Sequence, residues 1–133
     1  MGQITGLAEI VLWVQDMQKS LAFYRDLLGF EVISPANLPG VFLRVGPPRE
    51  GVPHQIVLVP RPADAPPLDA ASPKRGLNHI ALEVPAAALQ SERERIERSG
   101  VPTRSGSHPF LPVEAFYIDD PDGNEVEVVA RTA

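Results

Sequence analysis

A glutamate and a histidine head two look-alike stretches of this 133-residue chain, and either side chain can hold a metal ion or move a proton. His79 lies in Gly76-Leu77-Asn78-His79-Ile80-Ala81-Leu82-Glu83-Val84, and Glu9 in Gly6-Leu7-Ala8-Glu9-Ile10-Val11-Leu12-Trp13-Val14. Both stretches alternate as strands do, so residues two apart share a face. His79, Ala81 and Glu83 look one way, and Ile80, Leu82 and Val84 the other. Glu9, Val11 and Trp13 separate likewise from Ile10, Leu12 and Val14. The aliphatic faces read as packed under helices, which leaves the other two faces for chemistry. Glu127 sits between Val126 and Val128, where a buried carboxylate without a partner would be costly. His54 and His108 lie beside prolines near loop ends and can serve acid–base work, although exposed loop positions suit them equally.

Composition narrows the field. Cysteine is absent, which removes disulfides, thiolate nucleophiles and cysteine zinc sites. The formal charge of −5 comes with no basic stripe and argues against nucleic acid as a partner. No apolar run is long enough to span a bilayer and no secretory signal is visible, so no membrane partner and a cytoplasmic location are expected. The 15 prolines fall between periodic segments and read as loop stiffeners.

The elements that must position these residues follow in order. Residues 4–14 read as a strand, and Asp16 can cap the helix after it. Met17, Leu21, Tyr24 and Leu28 make that helix's apolar stripe, and Gly29 ends it. Strands are expected over 30–33, 41–45 and 54–59, with a turn at Asn37, Pro39 and Gly40. A proline-rich linker covers 61–75. The order then repeats: a strand over 77–84, a helix over 86–99 with Leu89 and Ile96 inward, and a stop at Gly100. The charged run from Glu92 to Arg98 reads as a solvated helix face. Strands over 101–104, 113–118 and 125–130 complete the second copy. Glu9 to His79 and Val14 to Val84 are both 70 positions, and Gly29 to Gly100 is 71. The expected fold class is therefore α+β, with two βαβββ modules at 4–60 and 76–131 forming a cupped mixed sheet within one domain.

The chain resembles the vicinal oxygen chelate superfamily, which includes glyoxalase I, extradiol dioxygenases, fosfomycin and bleomycin resistance proteins and methylmalonyl-CoA epimerase. The resemblance is carried by Leu21-Ala22-Phe23-Tyr24-Arg25-Asp26-Leu27-Leu28-Gly29-Phe30, by Leu77-Asn78-His79-Ile80, and by Asp120-Pro121-Asp122-Gly123-Asn124-Glu125-Val126-Glu127. It implies metal ligands at Glu9, His79 and Glu127, with a fourth, where the family has one, from the strand holding His54 and Gln55. A one-residue change of register decides which of those two shares the ligand face. The segment Gly106-Ser107-His108 and the pair Phe116-Tyr117 look like the extradiol enzymes, in which a histidine and a tyrosine assist catalysis, and His54 matches their acid–base histidine. Glu9 stands where most metal-dependent members have histidine. Two carboxylates and one imidazole lean towards Mn²⁺ or Mg²⁺, with Zn²⁺, Ni²⁺ and Fe also in range. The two-histidine, one-carboxylate set of non-haem iron oxygenases is not intact, which disfavours ring cleavage.

The expected function is thus a divalent-metal-dependent, glyoxalase-like isomerase, lyase or epimerase acting on a small oxygen-chelating metabolite. Glu127, His54, His108 and Tyr117 are the catalytic candidates, and Trp13 and Tyr117 line the substrate cup. The competing expectation is a metal-free protein of the bleomycin-resistance kind that sequesters a small ligand between Trp13, Tyr117 and the acidic residues. In this family two chains often complete one cup, so a homodimer is expected.

Overall fold

In the first half of the chain, alternation of aliphatic with mixed positions produces one half-buried sheet and one helix laid on its aliphatic face. The computed structural model describes residues 2–3, 6–66, 77–109 and 111–132. Residues 4 and 5 of the first expected strand, positions 67–75 of the linker, and Gly76 lie outside the described residues. The chain divides into two units, Met1–Leu68 and Asp69–Ala133.

The first unit contains β1 (Glu9–Val14), α1 (Met17–Leu21), β2 (Glu31–Val32), β3 (Val41–Arg44) and β4 (Gln55–Pro60). Its sheet has the order β1-β4-β3-β2, with β1 and β4 parallel and the other pairs antiparallel. Asp16 caps α1 by accepting from the Lys19 N–H at 3.2 Å. The helix then departs from the expected 3.6-residue stripe and widens into a π-helical turn over Ala22–Leu27. Leu28 N donates to Phe23 O, five residues back, at 2.9 Å. The extra residue in the turn brings both Phe23 and Tyr24 inward, and Tyr24 is wholly buried. They join Leu12, Val14, Leu43, Ile56 and Leu58 in the unit's core.

The second unit repeats this plan with β5 (Ile80–Glu83), a 3₁₀ turn (Ala86–Ala88), α2 (Leu89–Arg98), β6 (Arg104–Gly106), β7 (Val113–Asp119) and β8 (Glu125–Arg131). Its order is β5-β8-β7-β6, again with the first and last strands parallel. The chain is therefore α+β, built from two βαβββ modules. Ile96 of α2 is buried with Ile80, Phe116, Ile118, Val126 and Val128.

Two expectations need correction here. β6 lies later than 101–104, because Pro102 has no N–H to give to a ladder and the strand forms only beyond it. Arg104 fixes the new position by bonding both carboxylate oxygens of Asp119 at 3.0 Å and Glu125 at 3.1 Å. The charged run of α2 is also not uniformly solvated. Arg93 reaches Thr103 Oγ1 at 2.9 Å and Ser105 Oγ at 3.2 Å, and its guanidinium lies 5.8 Å from the centre of the Phe116 ring. Among the described residues no helix is long and apolar enough to cross a membrane.

Candidate functional site

On the sheet face of the second unit turned away from Ile96, β8 presents Glu127, Val129 and Arg131 in succession. β7 runs beside it with Tyr117 paired to Glu127 and Val113 paired to Arg131. On its other side β5 pairs Ala81 with Glu127 and Glu83 with Val129. The described residues of this face line a pocket of about 460 Å³. At one end of it His79, Tyr117 and Glu127 converge. Small and branched apolar side chains, among them Ala81, Val113 and Val129, also line it.

His79 precedes β5 by one residue, and its ring lies between two oxygens. Nδ1 is 2.7 Å from Asn78 Oδ1, and Nε2 is 3.1 Å from Glu127 Oε2. With the Nδ1–H donated to Asn78, a neutral ring turns the Nε2 lone pair towards the carboxylate. Two lone pairs cannot face each other unscreened at that distance, so the pair calls for a proton or a cation between them. The Glu127 side chain is only 7% exposed, which sharpens the requirement. The Tyr117 ring meets the His79 ring edge to face, with centroids 5.7 Å apart and planes at 79°. Desolvation pushes the Tyr117 phenol above its ordinary value. The negative charges of Glu127 and Glu125 add to this, as does a hydrogen bond with Glu127. His108 also lines the pocket, and its Nδ1 accepts from Leu111 N at 2.9 Å, bracing the loop between β6 and β7.

In the first unit Glu9 heads β1, and Gln55, directly opposite on β4, donates to Glu9 Oε2 at 2.7 Å. The register left open between His54 and Gln55 is thereby resolved: Gln55 shares the Glu9 face, and His54 is exposed one residue ahead of the strand. Glu127 follows His79 by 48 positions, and the residue 48 beyond Glu9 is Val57. Val57 pairs with Val11 as Glu127 pairs with Ala81, so the duplicated position carries a donor in the second unit only. Trp13 follows on the Glu9 face and is 55% exposed. Among the described residues, neither unit alone gathers three His, Asp or Glu side chains that could hold a metal ion. Asn78 is the participant that residue-type reasoning passed over, its signal being adjacency to His79, whereas Gln55 was one of two candidates that only strand register could separate.

The family model for the Glyoxalase/Bleomycin resistance protein/Dioxygenase superfamily matches residues 6–128, almost the whole chain. The protein belongs to this superfamily. Among superfamily relatives, an iron-dependent extradiol dioxygenase of Rhodococcus jostii is 27% identical over 92% of this chain, which spans only 42% of that enzyme. A lactoylglutathione lyase of Salmonella typhimurium is 29% identical over 92% of this chain and 90% of the lyase. The solved fosfomycin resistance protein FosX of Listeria monocytogenes is similar at 26% identity, with a TM-score of 0.70 over 98% of this chain and 94% of FosX. The chain thus spans about two-fifths of its dioxygenase relative and nearly all of the lyase.

Proposed function

We propose that this superfamily member is a divalent-metal-dependent, glyoxalase-like enzyme carrying out isomerase, lyase or epimerase chemistry on a small metabolite with neighbouring oxygens. The observation that carries the reading is the pairing of His79 Nε2 with Glu127 Oε2 at 3.1 Å on a ring whose Nδ1 is already engaged. Adjacent donors bound to one ion at right angles, with bonds of about 2.1 Å, stand about 3.0 Å apart. The donor set therefore fits a divalent ion. His79 and Glu127 would hold it, and the place of Glu9 in the set rests on the family resemblance alone. When bound, the ion polarises a substrate oxygen and stabilises the negative charge that develops there.

The chain's own side chains supply the rest. Tyr117 keeps its proton at neutral pH, and once an ion engages Glu127 its hydroxyl would turn its hydrogen bond from that carboxylate to a substrate oxygen. Ala81, Val113 and Val129 give the pocket an apolar wall that disfavours water there. A homodimer belongs to the same proposal: Val11 and Trp13 of the edge strand β1, and Leu7 just before it, each remain more than half exposed. A monomeric mass in solution at micromolar concentration would count against it.

One observation favours a second reading, metal-free capture of a small ligand: each unit alone brings together fewer than three donors among the described residues, and the pocket walls are largely apolar. Thermal melts of chelator-treated protein separate the two. The enzyme reading expects Mn²⁺, Zn²⁺ or Ni²⁺ to raise the melting temperature and His79→Ala to remove the gain. If no ion raises it, the metal-dependent reading fails.

A further inference from the structure

Gly106 closes β6 in ordinary extended backbone. Among the described residues the glycines with positive φ are Gly29, Gly46, Gly51, Gly100 and Gly123, and Gly106 is not one of them. No backbone conformation therefore requires glycine at this position, and a glycine weakens a strand. Space is what requires it. A Cβ built on Gly106 would stand 2.8 Å from Tyr117 Cδ2 and 3.2 Å from Cζ, with Cε2 closer still. Gly29 and Gly100 are the reverse case, with positive φ and open space around a Cβ.

The strand side of this contact is held in place, so the ring, which borders the pocket, is the side that must give. Arg104, two residues before Gly106, is bonded to Asp119 and Glu125. Arg93 holds the neighbouring Ser105 from the helix side, and Gly106 itself pairs with Ala115. The Tyr117 ring meets the His79 ring 5.7 Å away. We propose that Gly106 is a positioning residue: its bare α-carbon is the seat that holds the Tyr117 ring against β6, with the hydroxyl directed to Glu127. A side chain at 106 would push the ring off β6 and over the His79–Glu127 pair. The catalytic value of this pose rests on the function proposed above, whereas the pose itself does not.

The chain has only two tyrosines, Tyr24 and Tyr117, so ¹³C-tyrosine NMR reads the seat directly, with Tyr117→Phe supplying the assignment. Gly106→Ala is expected to shift the Tyr117 ring signals and leave those of the buried Tyr24 in place. In Mn²⁺ titrations, Gly106→Ala and Tyr117→Phe should each change the dissociation constant several-fold in the same direction, and the double variant no further. If Gly106→Ala melts too low to study, Gly106→Ala combined with Tyr117→Ala is expected to match the melting temperature of Tyr117→Ala alone. Tyr117 signals unmoved by Gly106→Ala would overturn the proposal, as would a double variant that remains destabilised after the ring is gone. A wild-type protein that binds no Mn²⁺ would defeat the metal reading and leave the NMR result to decide the seat.

Discussion

Replacing Glu127 with glutamine should stabilise the metal-free protein and end its response to metal. In the wild type a carboxylate with a 7% exposed side chain faces an imidazole nitrogen at 3.1 Å. The other ring nitrogen already contacts Asn78 Oδ1 at 2.7 Å. A glutamine amide can donate its N–H to that lone pair and accept from Tyr117 with its oxygen, so both partners are kept while the buried charge is removed. Buried charges replaced with their hydrogen bonds preserved return about 1–2 kcal/mol. For a chain of this size each kcal/mol moves the midpoint by roughly 3–5 °C, so Glu127→Gln should melt about 3–10 °C above the wild type in chelator. Metal reverses the order. At an ion concentration 100 times its dissociation constant the wild type gains about 2.7 kcal/mol, and the variant, which has lost the carboxylate donor beside His79, gains little. Scanning calorimetry of both proteins, with and without Mn²⁺, provides the four melting points. A variant that melts below the wild type in chelator would mean that the carboxylate is an ordinary stabilising partner of His79, and the argument from facing lone pairs would be refuted.

The Ser20 hydroxyl is fully buried in α1 and has no hydrogen-bond partner among the described residues, so Ser20→Ala should raise stability by about 1 kcal/mol in urea unfolding, with m unchanged. Tyr117 predicts an alkaline effect in the metal-free protein. Its phenol is raised above 10.0 in the folded state, so its contribution is fully present below about pH 10 and is lost as pH climbs through the folded value. The stability difference between wild type and Tyr117→Phe should therefore be flat up to pH 10 and shrink beyond it; a difference that grows above pH 10 would contradict the assigned cause.

The duplicated plan was legible because alternation at Glu9–Val14 and Ile80–Glu83 and the 70-residue offsets are properties of residue type and spacing alone. Nothing in one-dimensional periodicity distinguishes a helix that continues from one that widens, so the joint burial of Phe23 and Tyr24 appears only in the hydrogen bonding of residues 22–28. The choice between His54 and Gln55 was invisible for a related reason: a strand's facing is set by which residue meets its neighbour, and that is a property of the pair. Pro102 did carry a warning that β6 begins late. Gly106 carried one too, since a glycine inside a strand marks the close approach of another group. Which group approaches depends on a tyrosine eleven positions further along, and only coordinates supply that.

Pairing the first strand of each unit with its last has a kinetic consequence. A ribosome-bound chain stopped short of Glu125 would carry β5 with no ladder beside it and His79 with no acid opposite. The His79–Glu127 pair therefore cannot ripen gradually; it arrives with the closing contact of the module, the one spanning the greatest sequence distance. Variants that slow this final zipper should delay the appearance of the His79–Glu127 centre and of the native sheet by the same factor.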